Sequence, residues 1–300
     1  MSLPAEILLV GCGYVGTRVA QILRDRRVGL QAWVRTEASR ARLSELAIPA
    51  IVGDIGSREA WESLTKPPGF LLYGPSSSRG GTVEYRNVFL AGLSHALRQF
   101  PETPLLFLSS TSVYGQLTGE IVDEGSGADP DSETGRILRE AEEMVLDRGG
   151  VVLRIAGIYG PGRTRLLDRF LSGEAAISTM DRWINQVHRD DVVSAILHFL
   201  ALRRRREVVN VADDEPVRES GFYGWLADTL GKIPPPQSGE SRVASSKRRL
   251  THKRVSNAKA HALGWKPLYP SFREGLLPLL PSRTPPPVPG GKERCNEQSY

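Results

Sequence analysis

Cysteine is scarce in this chain: its 300 residues contain two, Cys12 and Cys295, near opposite ends. That excludes a disulfide framework and any zinc site built on paired thiolates. Long apolar runs are missing as well. No stretch approaches the ~18 residues that a membrane span needs. Met1 to Glu6 runs straight into the apolar Ile7-Leu8-Leu9-Val10, leaving no room for a secretory leader. These absences point to a reducing compartment, with a cytoplasmic location expected, and to no membrane partner. Concentrated charge is also missing. The net charge is +5, but the basic residues are dispersed apart from Arg203–Arg206 and the segment Ser246–Arg254. The first cluster closes an expected helix, where cations suit the negative end of the dipole. Charge of this kind speaks to solubility, so nucleic acid is not an expected partner. No internal repeat, no Gly-x-Ser-x-Gly elbow and no His or Cys grouping with metal-ligand spacing is present, so neither a serine hydrolase nor a metal centre is expected.

What is there is regular. Hydrophobic residues make up 40% and charged residues 24%, enough to bury a sizeable core. Short apolar runs at Ile7–Val10, Leu30–Val34, Ala50–Val52, Phe70–Tyr73, Leu105–Leu108 and Val151–Ile155 alternate with helix-patterned stretches at Thr17–Arg26, Arg40–Leu46, Arg86–Gln99 and Glu133–Leu146. Such alternation predicts an α/β fold, a doubly wound parallel sheet of the Rossmann kind with ligands at the carboxyl ends of the strands. Residues 1–160 form this expected core. Residues 161–280 are expected to build a smaller C-terminal substrate lobe whose chain returns to the core. Further helices are expected at Asp191–Leu202, Gly221–Leu230 and Ser256–Leu263, with a strand at Val208–Val211. The Pro-rich residues 281–300 are expected to be a disordered tail.

The first strand ends in Gly11-Cys12-Gly13-Tyr14-Val15-Gly16, a G-x-G-x-x-G turn that opens a helix. In that context the motif is a dinucleotide fingerprint. Gly11 permits the tight turn, Gly13 lets the backbone approach a pyrophosphate, and Gly16 allows close helix–strand packing. Cys12 would then be reactive only with the site empty. The second strand decides between cofactors. NAD enzymes usually place an acid about 20 residues after the turn; here stand Trp33-Val34-Arg35-Thr36. Arg35 suits a 2′-phosphate and Arg40 could add a second charge, so NADP is expected, with NAD the alternative. Asp54, after the third strand, is expected to accept from the adenine amino group. Gly74-Pro75-Ser76, after the fourth, should pass near the pyrophosphate or the nicotinamide ribose.

The fifth strand continues as Ser109-Ser110-Thr111-Ser112-Val113-Tyr114-Gly115, and later come Leu153-Arg154-Ile155-Ala156-Gly157-Ile158-Tyr159-Gly160-Pro161-Gly162 and Asn185-Gln186-Val187-His188-Arg189-Asp190-Asp191. With the glycine turn, these segments resemble the extended short-chain dehydrogenase/reductase superfamily, the NAD-dependent epimerase/dehydratase group, from about Ile7 to Leu276. The stretch Lys253-Arg254-Val255-Ser256-Asn257, then Leu263-Gly264-Trp265 and Tyr269-Pro270-Ser271, is similar to an atypical branch often labelled sugar-nucleotide epimerase-like.

The resemblance implies that Ser110 hydrogen-bonds the substrate oxygen on which charge changes during hydride transfer. It also shows a departure. Family members carry Tyr-x-x-x-Lys about 20 residues after the Val-Tyr-Gly motif; here Thr134 and Leu138 stand at those two places. The dehydratases carry Asp-Glu where this chain has Thr111 and Ser112, so sugar 4,6-dehydration is not expected. Tyr114 and Tyr159, at carboxyl ends of strands and expected to face the cleft, and His188, with a pKa suited to neutral proton transfer, are the candidates to replace the missing pair. Two readings stay open: an NADP-dependent reductase or epimerase-like enzyme acting on a carbonyl or nucleotide-sugar-like small molecule, and a non-catalytic NADP(H)-binding redox sensor. A homodimer is an open possibility for the assembly.

Overall fold

The computed structural model describes residues 2–77, 81–202, 204–237 and 252–281. All but the first residue of the tail expected at 281–300, with Cys295 and most of the basic segment Ser246–Arg254, lie outside the described residues. The chain alternates through β1 (Glu6–Val10), α1 (Tyr14–Asp25), β2 (Gly29–Val34), α2 (Glu37–Glu45), β3 (Ala50–Val52), α3 (Arg58–Glu62) and β4 (Phe70–Tyr73). Then come α4 (Thr82–Arg86), a π-helical turn over Asn87–Ala91, α5 (Gly92–Gln99) and β5 (Leu105–Ser110). A 3-10 turn at Thr111–Val113 leads to β6 (Ile121–Val122), α6 (Glu133–Asp147), β7 (Val151–Ile155) and β8 (Gly157–Tyr159). The rest holds α7 (Arg165–Leu171), β9 (Trp183–Ile184), β10 (Gln186–His188), α8 (Arg189–Leu202), β11 (Glu207–Val211), β12 (Val217–Arg218) and α9 (Glu219–Leu230). β13 (Arg254–Val255), α10 (Ala258–Ala262) and α11 (Phe272–Leu276) complete it.

Seven strands form one sheet in the order β11-β7-β5-β4-β1-β2-β3, and every neighbouring pair is parallel. This is a doubly wound Rossmann sheet. Parallel strands covered on both faces must be apolar throughout, and in β1 Ile7, Leu8, Leu9 and Val10 are all buried. α1 closes onto them with Gly16, Val19, Ala20 and Leu23, an i, i+3, i+4, i+7 stripe. The chain winds outward from β1 to β3, then returns on the other side of β1 to β4. Strand order therefore reverses between β1 and β4, the place where such sheets bind ligands.

Beyond residue 160 the chain serves two bodies. α8 packs beside α1 and β11 is the edge strand next to β7, so both belong to the main core. A second hydrophobic cluster gathers Leu167, Phe170, Phe222, Leu226 and Phe272 from α7, α9 and α11. Tyr159 belongs to this second cluster. Two-stranded ladders, β9 with β12 and β6 with β13, join the lobe to the loops above the sheet.

Candidate active site

The glycine turn sits at the switch point. Gly11 has φ +94°, and a Cβ there would lie 2.4 Å from the Pro75 Cα; only glycine lets the ends of β1 and β4 come so close. A Cβ on Gly16 would meet the Gly11 carbonyl oxygen at 2.4 Å. Gly13 differs, because a Cβ there meets nothing within 4 Å. It is also the N-cap of the twelve-residue α1, with no side-chain cap and no acid in the first turn. The open space and the uncapped amides fit a pyrophosphate. Val15 is half-buried against the core. Tyr14 donates its hydroxyl to the Pro161 carbonyl at 3.0 Å, and the guanidiniums of Arg163 and Arg189 lie 5.6 and 5.2 Å from its ring centre. Gly74 packs against Leu108 and Pro75 against Gly11, while Ser76 is exposed just beyond them.

Cys12 does not behave as expected. Its side chain is buried, with Sγ 3.8 Å from the Thr17 hydroxyl, and burial pushes the thiol up to about 11. Burial of this kind opposes thiolate formation whether or not a ligand lies on the turn.

At the end of β2, Arg35 is exposed and bonds Glu84 at 2.9 Å. Arg40, on α2, pairs with Glu37 at 2.7 Å. Both cations follow the end of β2, and each already has an acid. Asp54 accepts from the Gly56 amide at 2.8 Å with one carboxylate oxygen, which leaves the other free to meet a ligand.

Ser110 ends β5 half-buried, and its Oγ accepts from the Ser112 amide at 3.2 Å. Among the described residues the hydroxyl hydrogen has no acceptor and is left to donate. Two of the three candidates for the proton are bonded to the protein's own groups. Tyr114 is fully buried. Its hydroxyl accepts from Arg154 Nη1 at 2.9 Å and lies 2.8 Å from the Asp123 carbonyl and 2.9 Å from Asn210 Oδ1. Its position facing the cleft is thus corrected: the 3-10 turn carries the ring back under the sheet's end.

Tyr159 is also turned away, its hydroxyl 3.4 Å from the Ser271 carbonyl and pressed against Gly275 of α11. Burial, then the nearby Asp213 carboxylate, hold its phenol far above the ordinary range. His188 is buried between Tyr159 and Tyr269, ring centres 5.4 and 4.1 Å away. Its Nδ1 accepts from the Asp190 amide at 3.2 Å, which assigns the proton to Nε2. Burial lowers its pKa, so the expected titration near pH 6–7 is corrected downward. Thr134 is half-buried in the first turn of α6, and Leu138 is buried in the main core. Among the described residues no hydrogen bond joins a lysine Nζ to a tyrosine hydroxyl at this place; Lys253 meets the Tyr114 carbonyl instead.

Sequence reasoning missed a buried polar network directly below Ser110. Glu142 of α6 is fully buried and takes Arg154 of β7 in three contacts of 2.7–3.2 Å. Ser109 donates to Glu142 at 2.6 Å, and Tyr114 and Asn210 extend the chain of bonds to β11. The lone arginine in Val151-Val152-Leu153-Arg154-Ile155 was its signal. Lys253 is buried too, and its Nζ donates to the Tyr114 carbonyl at 2.7 Å; burial lowers it to about 8. Asn185 bridges Lys253 O and Val255 N, and so fastens β10 to β13.

With this geometry in place, comparison with known proteins is informative. Protein YeeZ of Escherichia coli is 32% identical over 281 residues, covering 88% of this chain and 96% of its own length. The chain belongs to the YeeZ family. That family's fold is the one seen among short-chain dehydrogenases/reductases of the NAD-dependent epimerase/dehydratase group. A solved structure provisionally named an NAD-dependent epimerase/dehydratase, from Methylobacillus flagellatus, is 26% identical with a TM-score of 0.72, covering 91% of this chain and 96% of that one. The 3-diazoavenalumate denitrifying reductase of a Streptomyces species is 28% identical over 306 residues, covering 90% of this chain and 99% of its own. No family model matches the chain.

Proposed function

We propose that this YeeZ relative is an NADP-dependent oxidoreductase that reduces a carbonyl-like group on a small molecule. The observation that carries the reading is the open, uncapped glycine turn at the switch point, in the same row of strand ends as Ser110. Gly11, Gly13 and Gly16 would hold the pyrophosphate, Asp54 the adenine, and Arg35 with Arg40 the 2′-phosphate. Bound there, a reduced nicotinamide supplies a hydride. Ser110 donates its hydroxyl hydrogen to the substrate oxygen as negative charge grows on it, the contribution of a preorganised donor. Because Tyr114 and Tyr159 are engaged elsewhere and burial disfavours the charged form of His188, the proton that completes the reduction comes from water admitted to the cleft. A relative named as a reductase supports reduction over epimerisation, and an epimerase would need a base to take back a proton.

Single-turnover oxidation of bound NADPH against aldehydes, ketones and nucleotide sugars tests this reading. Turnover with one class, reduced by Ser110→Ala, is expected. A redox-sensor reading is favoured by one observation, the engagement of both candidate phenols by the protein's own groups; tight NADPH binding with no turnover on any probe would select it.

A further inference from the structure

The second lobe carries an unneutralised cationic cluster. Trp183 of β9 has two guanidiniums on its indole, Arg218 with Cζ 4.5 Å and Arg254 with Cζ 5.2 Å from the ring centre. Both arginines are half-buried. Arg218 Nη1 donates to the Asp181 carbonyl at 2.8 Å, and Arg254 Nε donates to the Gly119 carbonyl at 3.0 Å. These bonds orient the two planes without cancelling either charge. Among the described residues neither has a carboxylate partner, although nearby arginines do: Arg182 pairs with Glu219 and Arg273 with Glu215. His252, buried beside them, takes the Trp183 amide at Nδ1, 3.3 Å away.

Two half-buried like charges on one ring repel, and partial burial makes an absent counter-charge costly. Stacking on an indole offsets part of that. A guanidinium has five N–H donors in a planar fork that matches a carboxylate or a phosphate, and among the described residues each fork makes a single hydrogen bond, to a carbonyl. The cluster is tied to the loop that leaves Ser110. Gly119 N donates to His252 O at 2.7 Å, His252 N to Gln116 O at 3.0 Å, and Arg254 N to Glu120 O at 2.8 Å. The cations thus stand beside the loop that follows Ser110 and the 3-10 turn.

We propose that Trp183, Arg218 and Arg254 form an anion subsite for the substrate, which therefore carries a carboxylate or a phosphate group. The proposal rests on the reading of this chain as an enzyme with a substrate cleft against its second lobe. Titration calorimetry of the full chain loaded with NADPH, using inorganic pyrophosphate, benzoate and neutral benzamide as probes, tests it. Saturable binding of pyrophosphate or benzoate but not of benzamide is expected, and whichever binds identifies the anion class. Arg218→Gln and Arg254→Gln should each weaken that probe about tenfold or more, leaving NADPH affinity unchanged. If a Gln variant unfolds, Arg218→Lys and Arg254→Lys are read instead; they keep the charge but lose the fork, and should weaken the probe in the same direction. Anion binding unchanged by all four substitutions, no anion binding at millimolar concentration, or an equal loss of NADPH affinity would each overturn the subsite. Anion binding lost in these variants while no substrate turns over would retain the subsite and remove only the oxidoreductase reading.

Discussion

In the proposed reading cofactor choice turns on Arg35, and its contact with Glu84 makes it a competed cation. A 2′-phosphate must draw the guanidinium from a carboxylate 2.9 Å away. Arg35→Ala should therefore weaken NADPH at least about tenfold, the loss of one charge-assisted contact, and barely change NADH. Glu84→Gln should tighten NADPH, because Arg35 no longer divides itself between two anions. Fluorescence titration with both cofactors reads this, and equal losses of NADPH and NADH in Arg35→Ala would remove the assignment. Arg35 was legible in the sequence because the end of β2 is a fixed offset from the glycine turn. Glu84 was not, since it reaches Arg35 across 49 positions of chain. At Ser110 the expectation is kinetic: Ser110→Ala should slow single turnover by ~10²–10³, as for one lost oxyanion donor. Thr134→Ala should change it far less.

The strands and longer helices of the sheet were readable because each is apolar at a regular period; β4 and β7 begin and end where their apolar runs do, and β1 starts one residue earlier, at Glu6. Short pieces such as β6, β9, β12 and α7 were not, having too few residues to show a period. The candidate site followed the same division. A turn that follows a strand declares itself, whereas the direction of a side chain after a 3-10 turn does not, and this sent Tyr114 to the interior. There it joins α6, β5, β7 and β11 through Arg154, Glu142 and Asn210. Breaking one partner of a buried ion pair leaves the other charge uncompensated, so Glu142→Gln should cost about 3–5 kcal/mol, measured by denaturant unfolding. Tyr114→Phe should cost about 1–3 kcal/mol and leave turnover of the folded fraction unchanged. A selective loss of turnover in Tyr114→Phe at intact stability would return that phenol to the chemistry.

For the whole molecule, α8 is the seam between sheet and lobe, and Asp191 in its first turn fastens the lobe's return segment. It is fully buried and accepts from the Leu268 and Tyr269 amides at 2.5 and 3.2 Å. Burial pushes its carboxyl from 3.8 up to about 6. The folded state then holds a proton that the unfolded chain releases near pH 4, so this group's contribution to stability falls as pH rises from about 4 to about 6 and is level above. Asp213, also buried and raised, acts in the same direction. The difference in Tm between the native chain and Asp191→Asn should therefore change across pH 4–6 and be constant above pH 7; a constant difference throughout would contradict the assignment.

The central claim is that a dinucleotide pyrophosphate lies on the glycine turn, and Gly13→Val addresses it most directly. Space is open above Gly13, so the valine side chain meets a ligand and not the protein. Calorimetric titration of NADPH into Gly13→Val is predicted to show no binding, with the Tm of the free protein within a few degrees of the native chain. Native-like NADPH affinity in Gly13→Val would contradict the account.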